Sequence, residues 1–136
     1  MDSIFFSYPS CNIFINDRNL VSIIKDRAPN FRPELFDTLP PDVMFLPSRH
    51  LLDKPDGNCS EDGKVAIYIC TCGYLECHGI QIDIFLEYDR VIWKGFVDYR
   101  SGEHTPIDDG LTFVFDRKQY EAALEPALHY SKKKHS

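Results

Sequence analysis

Cys70, Cys72 and Cys77 fall within the eight residues Cys70-Thr71-Cys72-Gly73-Tyr74-Leu75-Glu76-Cys77, and His78 follows directly. Thiolates at this density are soft ligands, so zinc is the first chemistry to weigh. On an extended backbone Cys70 and Cys72 leave the same face, and Gly73 allows the chain to reverse and return Cys77 towards them. A structural zinc needs a fourth ligand, for which His78, His50 and Cys59 are the candidates. Against this, the chain has neither a Cys-x-x-Cys pair nor a second knuckle at the usual distance. Three thiols packed as small hydrophobes at a crowded hairpin end are the competing reading, and we place it ahead of metal. A nucleophilic thiol would need His78 or His50 as base and Glu76 as acid. Neighbours on a strand point to opposite faces, which sets Cys77 and His78 apart. Zinc-deaminase, glycine-rich phosphate-loop and Gly-x-Ser-x-Gly patterns are absent from the sequence. For Arg49-His50, an arginine packed on acidic loops and a histidine capping a turn outweigh a functional pair.

The elements that position these residues follow from periodicity. Asn12 to Ile15 is a strand former ending in the turn residues Asn16-Asp17-Arg18. Leu20, Ile23, Ile24 and Arg27 recur at helical spacing behind Asn19, a good N-cap, and Ala28-Pro29 stops that helix. From Pro29 to Asp62 six prolines admit only short elements, with a turn of helix expected over Ser48 to Leu52. Asp53 to Asp62 reads as an exposed acidic loop. Val65 to Cys70 is almost continuously apolar, as in a strand covered on both faces, whereas Ile80, Ile82, Ile84 and Leu86 alternate with Gln81, Asp83, Phe85 and Glu87 as in a half-buried one. Tyr88-Asp89-Arg90 turns the chain into Val91 to Val97, whose Trp93 and Phe96, together with Tyr99 just beyond, form an aromatic stripe read as core. These three strands make an antiparallel meander with the cysteines at its first hairpin. Asp98 to Gly110 reads as a second acidic loop. Asp116 then caps a terminal helix through Tyr120, Ala123, Leu124, Ala127 and Leu128, interrupted by Pro126. The expected class is α+β: an antiparallel meander, a short helix after the first hairpin, and a C-terminal helix packed on the sheet.

The chain has 136 residues and a formal net charge of -6 with five cysteines. That length suits a single domain, expected over 1–130, with 131–136 as a basic polar tail holding Lys132 to Lys134. The acidity argues against nucleic acid or an anionic membrane as direct ligand and favours a basic protein partner. The first residues lack a signal-peptide pattern, no apolar run reaches membrane-spanning length, and an odd cysteine count suits a reducing compartment, so the expected location is cytoplasmic.

The blocks Ile13-Phe14-Ile15-Asn16 with Leu20 to Ile24, Leu46-Pro47-Ser48-Arg49-His50-Leu51-Leu52, Cys70-Thr71-Cys72-Gly73 with Cys77, Ile92-Trp93-Lys94-Gly95-Phe96, and Phe113-Val114-Phe115-Asp116 through Leu124 stand in this order along the chain. As a set they resemble a family of small uncharacterised bacterial proteins. The resemblance implies bacterial origin and a stand-alone domain. It carries no activity. Glu76, where family members often have a small residue, and His78 depart from the family pattern.

Acidity, size and the lack of a catalytic signature together favour an inhibitor of the immunity or antitoxin kind, which neutralises a basic partner such as a nuclease toxin. The expected partner-binding residues are Asp53, Asp56, Glu61 and Asp62 in the first acidic loop, Asp98, Glu103, Asp108 and Asp109 in the second, and Asp83 and Glu87 on the outward side of the sheet. Steering by charge of one sign is the physical basis. The alternatives are a zinc-stabilised binding module held by Cys70, Cys72 and Cys77, and a cysteine-dependent enzyme. No cofactor other than zinc is implied.

Overall fold

A computed structural model describes residues 1–57, 60–61, 63–71, 78–100, 103–108 and 110–125. The chain opens with a three-stranded antiparallel sheet of β1 (Ile4–Phe6), β2 (Ile13–Ile15) and β3 (Arg18–Asn19). Alternation decides its faces: Ile4, Phe6, Ile13 and Ile15 are buried, and Phe5 and Phe14 pair on the other side at 6.1 Å. Asn16 and Asp17, at φ 53° and 66°, form the two-residue link from β2 to β3. Short polar side chains tolerate that left-handed backbone, and its twist matches the strands. Asn19 then caps α1 (Leu20–Arg27) by accepting a hydrogen bond from the Val21 amide, as expected from the sequence.

After a 3-10 turn at Pro33–Leu35, β4 (Phe36–Thr38) joins the main sheet and α2 (Pro41–Met44) follows. The helical turn therefore comes earlier than expected. Proline is tolerated at the first helical position, which Pro41 occupies. Over Ser48 to Leu52, where we expected helix, the backbone makes turns instead, and the Leu52 and Lys54 amides both donate to the Arg49 carbonyl.

The main sheet contains β5 (Ser60–Glu61), β6 (Lys64–Cys70), β7 (His78–Leu86), β8 (Arg90–Arg100), β9 (Glu103–Pro106) and β10 (Phe113–Asp116), together with β4. Its order is β10-β8-β7-β6-β4, with β5 added on β6 and β9 on β8, and all of these pairs are antiparallel. The expected meander is β6-β7-β8. Asp98 to Gly110 is not the loop we expected. Asp98 lies in the central strand β8, where Arg100 pairs with its carboxylate, and Glu103 lies in β9, an edge strand whose open side faces water and accommodates an acid.

Helix α3 (Arg117–Ala123) is capped by Asp116, whose carboxylate accepts from the Gln119 amide. It stops before the expected Leu124 because the residue ahead of a proline avoids helical backbone, and Glu125 precedes Pro126. The expected continuation through Ala127 and Leu128 lies outside the described residues. The Gln119 side chain mimics a strand. Its Oε1 accepts from the Ile4 amide at 3.0 Å and its Nε2 donates to the Ile4 carbonyl at 2.6 Å, so α3 holds β1 against the core. Trp93, Tyr120, Phe6, Phe96 and Phe115 are fully buried there. Trp93 Nε1 donates to the Tyr120 hydroxyl at 3.2 Å, and that hydroxyl donates to the Leu51 carbonyl at 2.5 Å.

One irregularity sets the geometry of the sheet. Gln81 pairs with Val97 but Asp83 pairs with Lys94, so Ile82 stands opposite both Gly95 and Phe96. Gly95, at φ 69°, is the left-handed residue of this bulge. The extra residue explains why Trp93 and Phe96, three apart on one strand, are both buried.

Candidate functional site

The cysteine hairpin places few of its expected ligands in the described structure. Cys70 is the last residue of β6, buried and opposite Phe36 of β4. Cys72, Cys77 and the alternative ligand Cys59 lie outside the described residues. His78 begins β7; its Nε2 donates to the Leu35 carbonyl at 2.6 Å, and its ring meets Phe36 edge-on at 5.0 Å. His50 is fully buried and uses both nitrogens. Nδ1 accepts from the Asp56 amide at 2.9 Å, so Nε2 carries the proton and donates to the Ala66 carbonyl at 2.8 Å. That arrangement leaves no nitrogen lone pair for a metal, so His50 is not the fourth ligand. Burial lowers its basicity and keeps the imidazole neutral. Cys11 is also buried, and desolvation, helped by Asp42, pushes its thiol up to about 11. Such a thiol is a poor nucleophile. No group of three or more His, Cys, Asp and Glu side chains that could hold a metal ion occurs among the described residues.

The acids expected to bind a partner are not free as a set. Arg49 pairs with Asp53, and that hydrogen bond holds the carboxyl below its ordinary value. Lys64 reaches Asp83 at 3.0 Å, Arg100 reaches Asp98 at 3.2 Å, Arg27 reaches Asp108 at 3.2 Å, and Arg90 pairs with Glu87. Asp56 fixes His50 through its backbone amide. Glu61 stands in register with Lys64 across the β5–β6 turn. Glu103 is exposed, opposite Arg100 in register, and makes no ion pair among the described residues. Asp62 and Asp109 lie outside the described residues.

The two acidic segments also sit on different sides of the sheet. β5 lies on the β6 side and β9 on the far side of β8, with β7 between them. One continuous acidic patch is therefore replaced by two separate edges of equal charge balance, since residues 53–62 hold Asp53, Asp56, Glu61 and Asp62 against the single base Lys54. Residues 98–109 hold Asp98, Glu103, Asp108 and Asp109 against the single base Arg100. Comparison with protein-family models, curated proteins and solved structures finds no match. No described helix is long and apolar enough to cross a membrane.

Sequence reasoning missed the burial of Gln81. Alternation along β7 marks it as outward-facing, yet it is 0% exposed, between Ala66 of β6 and Val97 of β8. Among the described residues neither of its amide atoms finds a hydrogen-bond partner, nor does the buried Tyr68 hydroxyl. Unpaired buried polar atoms are destabilising, so Gln81→Met is expected to raise stability by about 1 to 2 kcal/mol, read from the urea midpoint. A lowered midpoint would show that the amide has a partner in solution.

Proposed function

We propose that the protein is an acidic, cytoplasmic protein-binding domain of the immunity or antitoxin kind, which occupies a basic partner such as a nuclease toxin. The observation that carries the reading is the β8–β9 edge, where Glu103 stands exposed and makes no ion pair among the described residues, in a segment whose sequence holds four acids and one arginine. Charge of one sign on an exposed edge accelerates encounter with an oppositely charged protein and makes the on-rate sensitive to salt. Commitment of His50, His78 and Cys11 to structural contacts further favours a binding role over thiol or imidazole chemistry.

The experiment is co-purification of the tagged protein with the product of the adjacent gene, followed by association kinetics on the captured protein. Glu103→Lys with Asp109→Lys is expected to slow association on the order of tenfold at low salt, with the difference shrinking as salt rises. Asp17→Lys, in the β2–β3 turn, serves as the control and should leave the rate unchanged. An acidic partner, or a rate indifferent to the reversals, would overturn the assignment of this edge.

A further inference from the structure

The side of the main sheet facing away from the core carries three rows across β7, β8 and β10. In the first, Asp83 stands opposite Lys94 and is also held by Lys64 of β6. In the second, Phe85 stands opposite Ile92, which stands opposite Val114. In the third, Glu87, just past the end of β7, bonds to Arg90, which stands opposite Asp116. Positions two apart on a strand share a face, so these residues form one surface. The alternate positions, Val91, Trp93, Phe113 and Phe115, enter the core. Phe85 is 44% exposed, with the Lys94 ammonium 4.9 Å from its ring centroid. Tyr88, at the turn beside the third row, is 97% exposed.

An apolar row between two charged rows has the anatomy of an interface core with a polar rim. Its charges alternate in sign within each row, unlike those of the β8–β9 edge, so a uniformly basic partner gains little here. The pattern instead complements itself. Consider a two-fold axis lying between two such faces, parallel to the strands and midway between β7 and β8. It sets every β7 position against the β8 position of the other copy in the same row. Asp83 then meets Lys94, Phe85 meets Ile92, and Glu87 meets Arg90, each pair occurring twice by symmetry. The β7 and β8 members of all three rows, with Glu87 just past the end of β7, are complementary under one operation.

We propose that this face is a homodimer interface, occupied by a second copy of the chain in an isologous arrangement. It is independent of the acidic edge, which would remain open on each protomer.

Sedimentation equilibrium of the full chain is expected to show a monomer–dimer equilibrium, and Ile92→Lys, on the exposed face, to shift it to monomer. Glu87→Arg and Arg90→Glu each place like charges opposite one another, and each should weaken the dimer on the order of tenfold. The decisive measurement mixes these two variants. Opposite charges then face each other again, so a heterodimer should form in native mass spectrometry although neither variant dimerises well alone. The double swap in one chain should likewise restore the homodimer. A wild-type protein that stays monomeric at every concentration would overturn the proposal, as would a dimer indifferent to the reversals or a mixture that fails to associate.

Discussion

Gly95→Ala is expected to lower stability by about 2 to 4 kcal/mol, measured as a shift of the urea unfolding midpoint at constant slope. Two effects combine. At φ 69° the backbone is in the left-handed region, where a Cβ meets its own carbonyl. A Cβ built there would also lie 2.4 Å from Asp83 Oδ2 and 3.1 Å from Lys64 Nζ. Moving those side-chain ends aside disturbs a small network, because Lys64 holds both the Asp83 carboxylate at 3.0 Å and the Gly95 carbonyl at 3.1 Å. The clash therefore opens an ion pair and strains the bulge that turns Trp93 and Phe96 inward. Asp83→Ala separates the two effects. Alone it should cost about 1 kcal/mol or less, since the pair is partly solvated. Combined with Gly95→Ala it should recover about 1 kcal/mol of the expected sum, because the carboxylate contact is gone and the backbone strain remains. Strict additivity would show that the contact contributes nothing.

His50→Leu is expected to cost about 3 kcal/mol, because it strands the buried Ala66 carbonyl and the partly buried Asp56 amide. The same residue imposes a pH dependence. Burial holds the folded-state pKa of His50 below the ordinary 6.5, opposed but not overcome by the Ala66 hydrogen bond and the nearby Asp56 charge. Below that ordinary value the unfolded chain takes up a proton that the folded chain refuses. The unfolded state then binds more protons, so stability is complete above about pH 6.5 and falls as the pH drops towards the folded value. The limiting slope from this group is about 1.4 kcal/mol per pH unit. Unfolding free energies of wild type and His50→Leu should run parallel above about pH 6.5 and converge below it, at no more than that slope, as the imidazole contribution is lost. Parallel curves throughout would mean that His50 takes up its proton equally in the folded and unfolded states.

Much of the architecture was legible in local chemistry. Asn19 and Asp116 announced their helices because a short side-chain acceptor satisfies amides that the first turn leaves bare. The meander was readable because a short polar connection at Tyr88-Asp89 admits only antiparallel return. Strand β6 was readable for a different reason, since a continuous apolar run marks a strand covered on both faces. β1 and β9 were not legible. One has three residues and the other is polar with a proline at its end, so each is a strand only because a neighbour supplies hydrogen bonds.

The candidate sites divide in the same way. Composition and spacing determined that the chain is acidic, that thiols concentrate at one hairpin and that acids concentrate in two segments, because these are properties of residues near each other in sequence. Which acids remain available was decided by the tertiary structure. Asp83 meets Lys64 across two strands and Asp108 meets Arg27 of α1, contacts between residues far apart in the chain that no local pattern encodes. The burial of Gln81 and His50, and the alignment of Phe85, Ile92 and Val114 into one row, likewise arise only from strand register and packing. A shift of one residue in that register would send each strand residue to the opposite face.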